Sequence, residues 1–104
     1  ELDDTDTFDI LDNADYTVLL FVGSDNFRVG SQKQNMKKLA AEFHGKVFFG
    51  IVDSIDSPSI RSHLKIPRKQ HVTTFIHKGS VVERRIGKIG MKELRQGISE
   101  LVNL

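Results

Sequence analysis

His71 stands between Arg68-Lys69-Gln70 and an apolar run, Val72 to Ile76, so an imidazole and two cations lie where the chain enters a strand. An imidazole in a groove could serve as acid, base or pH switch. A second reactive group, Ser24-Asp25-Asn26-Phe27-Arg28, follows another apolar run and brings together a hydroxyl, a carboxylate, an aromatic ring and a guanidinium. Phe and Arg are useful anchors for a partner, since the ring supplies apolar area and the guanidinium a planar fork of donors. Asp53 and Asp56 offer paired carboxylates. They follow an apolar run and precede Ser57-Pro58, however, where acids favour a helix start, and capping is the preferred reading over catalysis.

No other spacing carries catalysis. No nucleophile and orienting carboxylate can be placed around His71. His44, His63 and His77 do not converge with it: along an extended strand His71 and His77 are roughly 20 Å apart at about 3.3 Å per residue. No metal site and no cofactor are therefore expected. Gly87-Lys88-Ile89-Gly90 lacks the spacing of a phosphate loop and reads as a turn. Arg84-Arg85 with Lys88 could form a basic patch, but charges on an edge strand commonly guard it against pairing, and that account is preferred. The chain contains no cysteine, which excludes disulfides, thiolate metal sites and every mechanism that needs a thiol.

The elements that position these residues follow from pattern. At 104 residues, 38% hydrophobic and 28% charged, the chain has the size and composition of one globular domain with one core. Thr7 to Asp12 reads as a short first helix with Phe8 and Leu11 on one face. Tyr16 to Val22 is nearly continuous in apolar character, as in a central strand covered on both faces. Gly23 to Gly30 reads as a loop. Ser31-Gln32-Lys33-Gln34 has the spacing of a capping box before a helix of about a dozen residues marked by Met36, Leu39, Ala40 and Phe43. Gly45 falls at the expected C-cap, and Val47 to Val52 is a second apolar strand ending at Asp53. Ser57-Pro58 starts a short helix through Ile60 and Leu64, stopped by Pro67. His71 to Ile76, the Lys78-Gly79 turn and Ser80 to Ile86 form a hairpin, and Met91, Leu94, Ile98 and Leu101 mark a closing helix. The result is an α/β sandwich: a small mixed parallel/antiparallel sheet of four to five strands flanked by about four helices.

With these elements in order the chain resembles the thioredoxin-like superfamily. The resemblance is carried by Val18 to Val22, Lys38 to Val47, Val52-Asp53, Phe75 to Val81, and Gly87 with the Met91-Lys92-Glu93-Leu94 helix start, together spanning about Thr7 to Val102. A gapless match lays the family's Trp-Cys-Gly-Pro-Cys segment over Asp25-Asn26-Phe27-Arg28-Val29, so both cysteine positions, Asn26 and Val29, lack a thiol. The family's cis-proline position falls on His71. A cis peptide before a non-proline residue costs about 2.5–4 kcal/mol, so a trans bond is expected there. Disulfide exchange needs an attacking and a resolving thiol, and neither exists. The resemblance thus implies the scaffold without the activity, as in the noncatalytic domains of protein disulfide isomerase relatives.

Ligands of open α/β sheets tend to bind at the carboxyl ends of parallel strands. The expected partner-binding rim is therefore Ser24, Asp25, Asn26, Phe27 and Arg28 beside Arg68, Lys69, Gln70, His71 and Val72. Two readings of the loop stand: Phe27 and Arg28 anchor a partner, or Phe27 folds inward and Arg28 solvates the loop. The expected function is non-redox and non-enzymatic: an adaptor or chaperone-type domain holding a protein or unfolded peptide. The alternative is a nucleic-acid or acidic-ligand binder. Residues 1–15 hold seven acids and no base, so the remainder, with fifteen bases against seven acids, carries +8. An enzyme reusing His71 and Asp25 is a third reading that proximity alone supports. No apolar run approaches the roughly 20 residues needed to span a bilayer, and no membrane partner is expected. The chain opens on Glu1, and the expectation is one domain over residues 1–104, excised from a longer chain, with residues 1–6 an acidic, disordered leader. Compartment stays open, with the endoplasmic reticulum the first choice.

Overall fold

The computed structural model describes residues 4–22, 30–53, 58–66, 71–87 and 89–104. Eight elements follow one another: α1 (Asp4–Asn13), β1 (Tyr16–Val22), α2 (Gly30–Glu42), β2 (Phe48–Asp53), α3 (Pro58–Leu64), β3 (Val72–His77), β4 (Ser80–Ile86) and α4 (Met91–Val102). The order of helices and strands is the one expected, and the strands form a four-stranded sheet in the order β2-β1-β3-β4. β1 runs parallel to β2 and antiparallel to β3, and β4 returns antiparallel beside β3.

The central position of β1 explains its apolar run. Thr17 to Val22 are all buried, because helices cover both faces. Alternate side chains divide between two cores: Val18, Leu20 and Val22 join Phe75 of β3 and Met36, Leu39, Leu94, Ile98 and Leu101 of α2 and α4. Leu19 and Phe21 join Val72, Ile76 and Val52 with Leu11, Ile60 and Leu64 of α1 and α3. The Phe8 ring meets His63 edge-on at 5.3 Å, tying α1 to α3. On the other face Arg95 of α4 holds both carboxylate oxygens of Glu42 at 2.5 and 2.7 Å. Both partners are about half exposed, so this pair contributes at most about 1 kcal/mol.

Turn chemistry sets the hairpin. Lys78 (φ 49°) and Gly79 (φ 83°) both take positive φ, as a two-residue type I′ connection requires. Gly79 has a second reason to lack a side chain, since a Cβ there would lie 3.2 Å from the Leu11 carbonyl oxygen. A register shift between Phe75 and Ile76 leaves Val82 as an extra residue on β4, a β-bulge.

Three local expectations are corrected. α1 begins at Asp4, so Asp4, Thr5 and Asp6 belong to a helix rather than to a disordered leader; acids in a first turn complement the positive end of the helix dipole. Residues 1–3 lie outside the described residues. α2 starts at Gly30 and carries Ser31 inside its first turn, ahead of the start that the capping-box spacing places at Ser31. α3 ends at Leu64, where Lys65 adopts φ 58° and its N–H bonds the Ser62 carbonyl at 3.3 Å. A left-handed residue ends the helix three positions ahead of Pro67, which itself lies outside the described residues.

Candidate functional site

The parallel strands β1 and β2 end side by side, with Val22 opposite Asp53. At that same end of the sheet β3 begins: Val72 lies opposite Phe21 on one side and Ile86 on the other. The Gly87 N–H donates to the His71 carbonyl at 2.6 Å and extends the β3–β4 ladder by one step. The two segments expected to form the rim thus adjoin the end of β1 and the start of β3, neighbouring inner strands, at one end of the sheet. Ser24, Asp25, Asn26, Phe27 and Arg28, and Arg68, Lys69 and Gln70, lie outside the described residues, as does the Gln70–His71 peptide bond.

Two of the expected rim residues, His71 and Val72, lie within the described residues. His71 is half-buried at the mouth of β3 and has interactions inside the chain. Val72 is fully buried and packs with Leu19, Phe21 and Ile76. It therefore offers no surface to a partner, because the alternation of side chains along β3 turns it into the core.

At Thr73, one residue along β3 from Val72, lies a polar cluster that pattern reading missed. Gln32, in the first turns of α2, is wholly buried. Its Nε2 donates to Thr73 Oγ1 at 2.6 Å, and its Oε1 accepts from the Ile89 N–H at 3.4 Å. One amide thereby ties α2, β3 and the β4–α4 connection together. The signal was present in the sequence, for Gln32 precedes Met36 by four positions and Leu39 by seven, on the buried stripe of the helix.

The other candidates separate. His63 sits on Phe8, and His77 stacks on Tyr16 with centroids 5.1 Å apart and its Nδ1 buried without a hydrogen-bond partner. His44 is exposed and lines an open groove of about 600 Å³ with Asp15, Lys46 and Phe49. That groove lies at the starts of β1 and β2, the sheet end opposite His71. Among the described residues no cluster of three or more His, Asp and Glu could hold a metal ion. None of their helices is long and apolar enough to cross a membrane. Asp56 lies outside the described residues. The basic patch at Arg84-Arg85 is tied down: Arg84 donates to the Lys65 carbonyl at 3.1 Å, and Arg85 pairs with Glu83 at 3.0 Å and Glu93 at 3.4 Å.

No protein-family model and no curated protein matches the sequence. Solved structures do. A thioredoxin of Entamoeba histolytica carrying a Cys-to-Ser substitution superposes with a TM-score of 0.77 at 16% identity, over 95% of each chain. A designed protein superposes with a TM-score of 0.80 at 20% identity, over 98% of this chain and 89% of its own. At such identities the likeness concerns architecture alone. Its mixed four-stranded sheet, helices on both faces and agreement with these structures over nearly the full length give this cysteine-free chain a thioredoxin-like fold.

Proposed function

We propose that the chain is a redox-inactive, non-enzymatic binding domain, an adaptor or chaperone-type module that holds a protein or unfolded peptide, comparable to the noncatalytic domains of protein disulfide isomerase relatives. The observation that carries this reading is a thioredoxin-like fold in a chain without a thiol. The reading is supported by the fold, since open α/β sheets tend to bind ligands at the carboxyl ends of their parallel strands, while disulfide exchange, which must form and resolve a mixed disulfide, has no group to perform it. A domain without cysteine also cannot be trapped covalently by its client.

The test is a titration of the ¹⁵N-labelled domain with an unfolded, alkylated peptide. Shifts are expected at Ser24 to Arg28 and at Arg68 to His71, with weak dependence on salt. Absence of shifts in both segments sinks the rim assignment. A steep loss of binding between about 50 and 200 mM salt, as phosphate contacts produce, favours instead the nucleic-acid reading suggested by the +8 body. In an insulin-reduction assay the domain should show no turnover above buffer, and measurable turnover overturns the redox claim.

A further inference from the structure

On the α4 side of the sheet an open groove of about 260 Å³ lies between α4 and β4. One position of the helix has no side chain there. Gly97 belongs to the buried stripe of α4 with Leu94, Ile98 and Leu101, and the Phe75 ring comes up beneath it, so close that a Cβ would stand 2.5 Å from Cζ. Phe75 and Gly97 form the floor. The walls include Val82 and Glu83 of β4 and Glu100 and Leu101 of α4. Val82, the extra residue of the bulge, keeps 47% of its surface exposed.

Charge gives this groove a sign. Glu83 stands opposite Phe75 in the β3–β4 register, half-buried and paired with Arg85, whose guanidinium also reaches Glu93. Glu100 is exposed, and among the described residues no ion pair holds its carboxylate. Of the residues that line the groove two are acids and none is a base. The groove is therefore negative, although the chain after residue 15 carries +8. Small-molecule pockets run to about 300–1,000 Å³, so this open groove is sized for one or two side chains of a protein rather than for a cofactor.

We propose that the groove between α4 and β4 seats a segment of a partner protein in which an arginine stands next to an apolar residue. The arginine stem lies along Val82, as long basic side chains cover apolar surface. Its guanidinium meets the Glu100 carboxylate, whose two oxygens match the planar fork of donors, and Glu83 adds attraction from the other wall. The apolar neighbour then covers the floor at Phe75 and Gly97. Lysine fits less well, because a compact ammonium is more strongly hydrated and makes a point contact instead of a paired one. The same two acids repel a phosphate backbone, so nucleic acid is no occupant of this face. Phe75 lies four residues along β3 from His71, and the groove needs nothing from the strand ends where the rim is placed.

The probe is a short blocked peptide alternating Leu with Arg, compared with peptides alternating Leu with Gln and Leu with Glu. With the ¹⁵N-labelled domain, the Arg peptide should shift the amides of Val82, Glu83, Gly97, Glu100 and Leu101. It should bind about fivefold more tightly than the Gln peptide, the margin that one exposed ion pair supplies, and the Glu peptide should leave these amides unmoved. Glu100→Gln should remove the preference for Arg over Gln without altering the circular dichroism, since its side chain is exposed. Val82→Lys, which sets a cation in the groove, should weaken the Arg peptide in particular. Groove amides unmoved by the Arg peptide, equal binding of the Arg and Gln peptides, a preference that survives Glu100→Gln, or a concentration-dependent dimer that shifts the same amides with no peptide present would overturn the proposal.

Discussion

Gln32→Met should lower the stability of the domain by about 2–4 kcal/mol, although it exchanges one unbranched side chain for another of similar size. The replaced amide is wholly buried and serves two groups, the Thr73 hydroxyl and the Ile89 N–H. Methionine can serve neither, and each buried polar group left without a partner costs about 1–3 kcal/mol. The bond to Ile89 is long, which puts its share at the lower end. Thr73→Val in the same background should return about 1–2 kcal/mol, because removing both members of a buried pair abolishes the orphan. Urea unfolding of the single and double variants checks this. If Gln32→Met is neutral, or if Thr73→Val adds its full cost on top, the cluster does not hold α2 to β3. Loss of this tie should also be read at the strand ends, where His71 and Ile89 amides should exchange faster than in the parent domain.

Gly97→Ala should destabilise by about 1–2 kcal/mol, against the ordinary direction of that substitution in a helix. Alanine is favoured over glycine inside a helix by about 1 kcal/mol. At Gly97, however, a Cβ would stand 2.5 and 2.6 Å from Cζ and Cε1 of Phe75. The ring is buried against Leu94, Ile98 and Leu101, so relieving the overlap means moving a packed aromatic, and overpacking typically costs about 1–3 kcal/mol. Phe75→Leu removes the offending ring edge. The two substitutions together should therefore be more stable than the sum of their separate effects allows, by at least about 1 kcal/mol in a double-mutant cycle. Each kcal/mol should appear as about 4–8 °C in Tm for a domain near this size. An increase in stability on Gly97→Ala alone would mean that α4 stands further from β3 than the ring contact places it.

Both expectations concern the seating of α2 and α4 on one face of the sheet, and so bear on function as well. A binding surface at the strand ends is only as well defined as the strands beneath it. Gln32 fixes the start of α2 against β3, and Gly97 lets α4 approach closely enough to complete the core under Phe75.

Periodicity alone disclosed the order of elements. A strand covered on both faces must be apolar throughout, as Val18 to Val22 are, and a helix lying on a sheet must repeat at three and four residues, as Leu94, Ile98 and Leu101 do. The Lys78-Gly79 turn was equally legible, since two consecutive positive φ values favour glycine. The absence of thiol chemistry needed only a residue count.

Contacts between elements distant in the chain were decided by the tertiary structure. Local spacing puts Val72 on the rim, yet its place on β3, between Phe21 and Ile86, sends it into the core. Local spacing puts Gln32 in a capping box, yet Thr73 and Ile89 make it a buried link across more than forty positions of sequence. Local pattern records how each segment wishes to bury itself; which groups meet there is settled by chain segments far away, whose identity no local spacing encodes.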